Sequence, residues 1–280
     1  MNPRGQVAVI TGAAGGIGES LALALAARGC DLSLVDRRAA ELDDVASRAR
    51  ALGVVVGITC CDLAEPGFAR RIADDALALH GRVSILVNNA GVALGGRFEE
   101  VSADDFAWLM RINFDAVVAL TRELLPVLGR EPRARIVNVS SIFGIVAPPG
   151  QTAYCAAKFA VRGFSESLRH ELEMSGSPVG VTVVHPGGVR TGIADAARMP
   201  AGIDPEALAA QREAFRRVLK MPPQDAAARI VRAIERGEPR VLVGEDAVRA
   251  TWLQRLMPVG YWKPMARELA RRMGMAELPR

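Results

Sequence analysis

The sequence predicts an α/β fold: a doubly wound parallel sheet of about seven strands with helices on both faces, followed by a C-terminal helical extension. Three observations carry this. Short β-rich runs alternate with longer helical patterns along residues 6–244. The runs are almost continuously apolar, as strands covered on both faces must be. No Pro/Gly/Ser linker or internal repeat interrupts the alternation, so residues 1–248 read as one domain and 249–280 as its extension.

The expected strands are QVAVIT (6–11), DLSLVD (31–36), VVVGITC (54–60), VSILVNN (83–89), ARIVNVS (134–140), GVTVVH (180–185) and PRVLVG (239–244). Between them, Ala, Leu and Arg recur at three- and four-residue spacings over 16–29, 39–52, 65–80, 103–128, 153–175 and 223–236, which predicts helices. Strand–helix alternation requires parallel pairing through helical crossovers. Two stretches stand outside it: 192–222 and the tail after 245.

Composition narrows the function. Half of the 280 residues are hydrophobic and 24% are charged, which excludes a disordered chain or a fibrous repeat. No apolar run reaches the roughly 18–20 residues of a spanning helix, and the N-terminus enters a strand pattern at once. Neither a signal peptide nor a transmembrane helix is expected. Cys30, Cys60, Cys61 and Cys155 lack zinc spacing, and His80, His170 and His185 are the only histidines, so no metal site is expected. These features describe a soluble, reduced, cytoplasmic protein. Lys plus Arg number 35 against 31 Asp plus Glu, a net charge of +4. Residues 249–280 hold seven basic and two acidic side chains, so the remaining 248 net −1. The basic character belongs to the tail, and no nucleic-acid partner is implied.

The first strand runs into Thr11-Gly12-Ala13-Ala14-Gly15-Gly16-Ile17-Gly18 at the start of the first helix. Gly12 permits a tight turn, Gly16 lets backbone approach a pyrophosphate, and Gly18 lets the helix pack close to the strand. The helix N-terminus adds amides and the positive end of a dipole. Asp36 ends the second strand, 18 residues after Gly18, where a carboxylate accepts from an adenosine ribose and repels a 2′-phosphate. This favours NAD over NADP, as does the neutral Gly15; Arg37 and Arg38 keep NADP open. Asp62-Leu63 and Asn88-Asn89-Ala90-Gly91 follow the third and fourth strands, at the sheet edge that lines the ligand crevice.

Tyr154 and Lys158, four apart in Tyr-Cys-Ala-Ala-Lys, share one helix face. A neighbouring ammonium favours a phenolate, so the pair is expected to lower the phenol's pKa and create an acid/base group for an alcohol or carbonyl. Ser141 ends the fifth strand, where its hydroxyl can hold the substrate oxygen. Asn113 is a polar residue amid Ile112, Phe114, Val117 and Val118.

Over roughly residues 5–245 the chain resembles the short-chain dehydrogenase/reductase family, with TGAAGGIG, Asp62, NNAG, Asn113, Ser141 and YCAAK in family order and spacing. His185-Pro186-Gly187-Gly188-Val189-Arg190-Thr191 matches the family's Pro-Gly-x-x-x-Thr string. The resemblance implies a Rossmann-type dinucleotide-binding catalytic domain and an NAD(P)-dependent oxidoreductase that interconverts an alcohol and a carbonyl. It makes Tyr154 the general acid/base and Ser141 the residue that orients the substrate oxygen. Lys158 would lower the Tyr154 pKa and bind the nicotinamide ribose, and Asn113 would hold a relay water. Cofactor contacts carry over to Gly12, Ala14, Gly15, Gly16, Ile17 and Gly18, to Asp36 and Arg37, and to Tyr154 and Lys158. Asp62 and Leu63 would meet the adenine, while Asn89, Ala90 and Gly91 would border the adenosine ribose. Pro186, Gly187, Val189 and Thr191 would meet the carboxamide or phosphates. A homo-oligomer, dimer or tetramer, is implied by the resemblance alone.

Residues 192–222 occupy the family's substrate loop and helix. Their apolar members, including Ile193, Met199, Ile203, Leu208 and Phe215, either line a pocket for a lipophilic alcohol, ketone or aldehyde or pack as an ordinary amphipathic helix. Phe143, Ile145 and Val146, after Ser141, tilt the expectation towards an apolar substrate. A 3-oxoacyl thioester would suit the same chemistry, and a non-catalytic cofactor sensor is the rival of a different class. In the tail, Trp262, Met265, Leu269 and Met273 recur at helical spacing among Arg267, Arg271 and Arg272. Three roles stay open: packing on its own or a partner subunit, peripheral contact with an anionic membrane, and a flap over the substrate mouth.

Overall fold

The computed structural model describes residues 1–200 and 205–273. Its strands are β1 (Val7–Thr11), β2 (Asp31–Asp36), β3 (Val56–Cys60), β4 (Ile85–Asn88), β5 (Ala134–Val139), β6 (Val179–Pro186) and β7 (Arg240–Val243). They form one parallel sheet in the order β3-β2-β1-β4-β5-β6-β7. The order reverses between β1 and β4, which opens a crevice at the carboxyl ends of the strands. The helices are α1 (Gly16–Ala26), α2 (Ala39–Arg50), α3 (Phe68–His80), α4 (Ala103–Met110), α5 (Ala116–Leu128), α6 (Thr152–Met174), α7 (Pro205–Arg216), α8 (Pro223–Arg236), α9 (Glu245–Leu256) and α10 (Trp262–Met273).

Two hydrophobic layers flank the sheet, and the strand residues divide between them with period two. Ala8 and Ile10 of β1, Leu32 and Leu34 of β2, and Ile85 and Val87 of β4 pack with Leu21 and Leu25 of α1, Leu42 of α2 and Ile230 of α8. Val9, Val35 and Leu86, one residue out of phase, pack on the other face with Ile72 of α3, Leu120 and Leu124 of α5 and Leu172 of α6. Both faces are dry, which is why the strands read as continuous apolar runs.

The structure departs from the expected elements at three points. The helix expected from residue 65 begins at Phe68, because Pro66-Gly67 intervenes and Gly67 takes a left-handed φ of 78°. The single helix expected over 103–128 is α4 and α5 joined by a π-helical turn at Arg111–Asp115. The described part of the tail forms two helices, and the first starts at Glu245, before the boundary expected at 249. Of the apolar residues singled out in the substrate segment and tail, Ile203 lies outside the described residues, as do the side chains of Leu208 and Met273.

Candidate active site

The glycine turn between β1 and α1 is built by steric necessity. Gly12 has φ +67°, and a Cβ there would lie 2.9 Å from both the Ala90 Cα and the Asn89 Nδ2. A Cβ on Gly18 would overlap the Gly12 carbonyl oxygen, so α1 can approach the turn only without one. Gly16, at φ +57°, faces the Thr191 methyl, which a Cβ would reach at 3.0 Å. Thus the glycine turn and the Pro186–Thr191 turn confront each other across the crevice. Among the described residues no side chain caps the α1 N-terminus, so its first-turn amides are open to that space. A bare glycine cradle with uncapped amides fits a dinucleotide pyrophosphate.

Asp36 sits beside this cradle. Its Oδ2 accepts from Ala14 N and its Oδ1 from Arg38 N, each at 3.1 Å. Arg38 also pairs with Asp36 through Nε at 3.3 Å, and its Nη2 lies 3.1 Å from where a Gly15 Cβ would stand. Arg37 turns away towards Asp62, at 3.9 Å. The cation beside the Asp36 carboxylate is therefore Arg38 rather than Arg37. Asp62 closes its own turn by accepting from Ala64 N at 2.8 Å, over the buried Leu63.

The Asn88–Gly91 turn is bound to β1. Thr11 Oγ1 accepts from Asn89 N and Ala90 N, while Asn89 Nδ2 donates to the Thr11 carbonyl at 2.9 Å and the Gly12 carbonyl at 3.2 Å. Beneath it, Asn88 donates to Asn138 at 2.8 Å and Asn138 to Ser165 Oγ at 2.9 Å, a buried polar chain linking β4, β5 and α6.

Asn113, Ser141, Tyr154 and Lys158 converge above that chain. Asn113 lies in the π turn, a distortion that often marks functional positions. Its amide pairs both ways with Val92: Oδ1 accepts from Val92 N at 2.8 Å and Nδ2 donates to Val92 O at 2.9 Å. A Cβ on Gly91 would stand 3.3 Å from Asn113 Oδ1 and 3.5 Å from Lys158 Nζ, so this glycine keeps the amide and ammonium close. Lys158 is buried; Nζ donates to Val139 O at 3.0 Å and lies 5.7 Å from the Tyr154 ring centroid. Phe143 meets the Tyr154 ring edge-on, with centroids 6.1 Å apart. Ile145 and Val146 are instead buried in the core.

Charge is disfavoured on both members of the tyrosine–lysine pair. Burial pushes the Tyr154 phenol up to about 12, opposed in part by the neighbouring Ser141 hydroxyl. Burial pushes the Lys158 ammonium down to about 8. The expected net lowering of the phenol is thus not what this arrangement produces: desolvation outweighs the opposing influence. Tyr154 is a protonated donor at neutral pH, and Lys158 carries a charge whose buried setting weakens it.

The family of short chain dehydrogenases matches residues 6–201. This chain belongs to the short-chain dehydrogenase/reductase family. It is 40% identical over 268 residues to SadH of Mycobacterium tuberculosis, covering 95% of this chain and 96% of that protein. The 11-beta-hydroxysteroid dehydrogenase A of Sesamum indicum is 41% identical over 185 residues, covering 65% of this chain and 52% of its own. Among solved structures, a short chain dehydrogenase/reductase from Burkholderia phymatum in complex with NAD matches with a TM-score of 0.80 and 30% identity, covering 100% of this chain and 99% of its own. The chain is accordingly an oxidoreductase acting on CH–OH groups, on a Rossmann-type fold.

Several residues of this dehydrogenase's site escaped the reading of its sequence. His185 is buried beneath Ser141, and its Nδ1 donates to the Ser141 carbonyl at 2.9 Å. Burial pushes the imidazole down to about 4, so it is neutral, and a bond to a carbonyl places its proton on Nδ1. Its place immediately before Pro186 was the available signal. Arg198 N donates to Ala93 O, and its carbonyl accepts from Gly95 N, both at 3.0 Å, which lays the chain around Arg198 along residues 93–95. The Arg198 guanidinium rests 3.6 Å from the Trp108 ring centroid and pairs with Asp105 at 2.9 Å. Met199 packs over Gly95. Asp246 accepts from Gly188 N and Tyr261 from Ala147 N, long-range contacts that no local pattern reveals.

Proposed function

We propose that this dehydrogenase interconverts a lipophilic alcohol and its ketone or aldehyde with a nicotinamide cofactor, NAD in preference to NADP, using Tyr154 as general acid/base. The observation that carries the reading is the convergence of Tyr154, Ser141, Lys158 and Asn113 beside a bare glycine cradle. The cofactor, when bound, supplies or accepts the hydride. The chain's own residues do the rest. Gly12 to Gly18 admit the pyrophosphate to backbone amides; Asp36 accepts from the adenosine ribose, and Asp62, Leu63 and Asn89 to Gly91 border the adenosine. Pro186, Gly187, Val189 and Thr191 hold the opposite end. Ser141, fixed from below by His185, holds the substrate oxygen against the Tyr154 phenol. In reduction the phenol donates its proton to the nascent alkoxide oxygen; in oxidation the phenolate removes the alcohol proton. Lys158 stabilises that phenolate and holds the nicotinamide ribose. Asn113, anchored on Val92 and close to Lys158, positions a water that returns the proton towards solvent.

The preference for NAD rests on Asp36, whose carboxylate stands where a 2′-phosphate would be repelled, and it agrees with the NAD carried by the Burkholderia phymatum neighbour. Arg38 supplies a compensating cation, so NADP turnover is expected to be slower but measurable. The apolar preference rests on Phe143 against Tyr154 and Met199 over Gly95. Absorbance of the nicotinamide with a graded series of primary and secondary alcohols, NAD and NADP run separately, tests both. Turnover that rises with apolar size and is faster with NAD is expected; equal turnover of small polar alcohols would overturn the substrate class.

Two features bear on partners. Ala156, Phe159, Gly163, Ser167 and His170 are exposed along one face of α6, and a Cβ on Gly163 would meet nothing within 4 Å among the described residues, which supports pairing of α6 with a second copy. On the outside of the tail, Val248, Trp252, Leu256 and Val259 are exposed beside Arg249, Arg255 and Lys263, which supports peripheral contact with an anionic membrane. Among the described residues no helix is long and apolar enough to span one. The four cysteines are free, in keeping with a reducing cytoplasm.

A further inference from the structure

We infer that residues 246–261 are a built-in part of the active site: a strap that ties together the two backbone turns flanking the reacting groups and thereby sets how bulky a substrate is accepted. This rests on the proposed alcohol–carbonyl chemistry and adds the element that selects the substrate.

The strap is fastened at both ends by a side chain accepting from a backbone amide, one in the Pro186–Thr191 turn and one in the loop between Ser141 and Tyr154. At its start, Asp246 Oδ2 accepts from Gly188 N at 2.6 Å, within the Pro186–Thr191 turn. The carboxylate occupies the space a Cβ on Gly187 would need, so the glycine pair and the aspartate fit as one unit. At its end, Tyr261 Oη accepts from Ala147 N at 2.9 Å, 114 residues away in sequence. Ala147 lies six residues after Ser141 and seven before Tyr154, in the loop that connects them. Between these two fastenings α9 packs against the Ile142–Gly144 turn that directly follows Ser141, and Ala247 is fully buried.

The geometry has a physical consequence. Both turns are backbone structures whose positions decide the space between the nicotinamide side of the crevice and Ser141. An amide hydrogen bond at each end joins the two turns through one segment of chain. A small alcohol needs little of that frame, because Ser141 and Tyr154 hold its oxygen. A bulky one leans on the loop that carries Ala147. The strap therefore acts on the discrimination between substrates more than on the proton transfer.

Tyr261→Phe removes the acceptor and keeps the ring. The test compares kcat/KM for a bulky secondary alcohol with that for 2-propanol, alongside cofactor affinity by fluorescence titration and amide hydrogen exchange. The strap predicts a bulky-to-small ratio altered at least fivefold, cofactor affinity within twofold of the parent, and Ala147 amide exchange accelerated about tenfold. An unchanged ratio with unchanged Ala147 exchange would overturn it. Asp246→Asn, which keeps an acceptor oxygen, should leave Gly188 protection within threefold, whereas Asp246→Ala should lose it; equal protection in both would also count against the strap. Were the parent enzyme silent with every alcohol, the proposed reaction would fall, while the exchange of the Ala147 and Gly188 amides would still decide the strap.

Discussion

Replacing Lys158 by methionine is expected to stabilise the protein while abolishing turnover. Lys158 is 3% exposed, and its only side-chain hydrogen bond among the described residues runs to Val139 O at 3.0 Å. Burial lowers its pKa from 10.5 to about 8. The unfolded chain thus binds this proton more tightly than the native one. Between pH 8 and 10.5 the unfolded state carries the proton and the native state does not, so stability rises with pH through that window and bears the full penalty below it. At about 1.4 kcal/mol per pH unit, the depression corresponds to roughly 3 kcal/mol. Methionine removes that penalty at similar volume but leaves the Val139 carbonyl without this donor, at about 1 kcal/mol. The net gain of about 2 kcal/mol should raise Tm by about 4–8 °C for a chain of this size. Calorimetry of both proteins from pH 7 to 10.5 measures it: the variant should melt higher at pH 7, and the gap should close as pH rises. A variant that melts at or below the parent at pH 7, with a gap independent of pH, would refute the assignment of a destabilising buried ammonium.

Three further outcomes follow from the same geometry. Gly18→Ala places a Cβ against the Gly12 carbonyl and 2.6 Å from Asn89 Nδ2, so it should weaken cofactor binding at least tenfold and lower stability by about 1–3 kcal/mol, read by titration and thermal melts. Asp36→Ala removes the carboxylate proposed to oppose a 2′-phosphate and leaves Arg38 only its contact with Glu41 at 4.0 Å; kcat/KM should shift towards NADP by about tenfold, the size of a partly exposed charge pair. With the phenol near 12, alcohol oxidation should climb about tenfold per pH unit from pH 6 to 8, below the Lys158 pKa, while carbonyl reduction stays flat, and an oxidative profile flat over that range would contradict proton removal by Tyr154.

How much of this was legible in the sequence depends on the range of the cause. The strands were legible because burial on both faces writes itself as continuous apolar runs. The glycine turn was legible because only residues without a Cβ survive beside the Gly12 carbonyl and Thr191. The π turn at Arg111–Asp115 was not, since one extra residue in a helical turn leaves the apolar spacing of 103–128 almost unchanged. Spacing put Tyr154 and Lys158 on one face, yet it carries no measure of desolvation, which decides the direction of both pKa values. Arg37 and Arg38 are equivalent in composition; the backbone after β2 sends one to Asp62 and the other to Asp36. The contacts of Asp246 with Gly188 and of Tyr261 with Ala147 join residues far apart in the chain, so no window of sequence holds them.

The most direct test of the central claim compares the parent enzyme with Tyr154→Phe. Nicotinamide absorbance is followed with an apolar secondary alcohol at saturating NAD, and cofactor affinity is measured in parallel. The parent should turn over, while the variant should lose at least a hundredfold to ten-thousandfold in kcat, the range of a lost general acid/base, with cofactor affinity nearly intact. Turnover in the variant close to that of the parent would contradict the account, because the proton would then be handled by a group other than Tyr154.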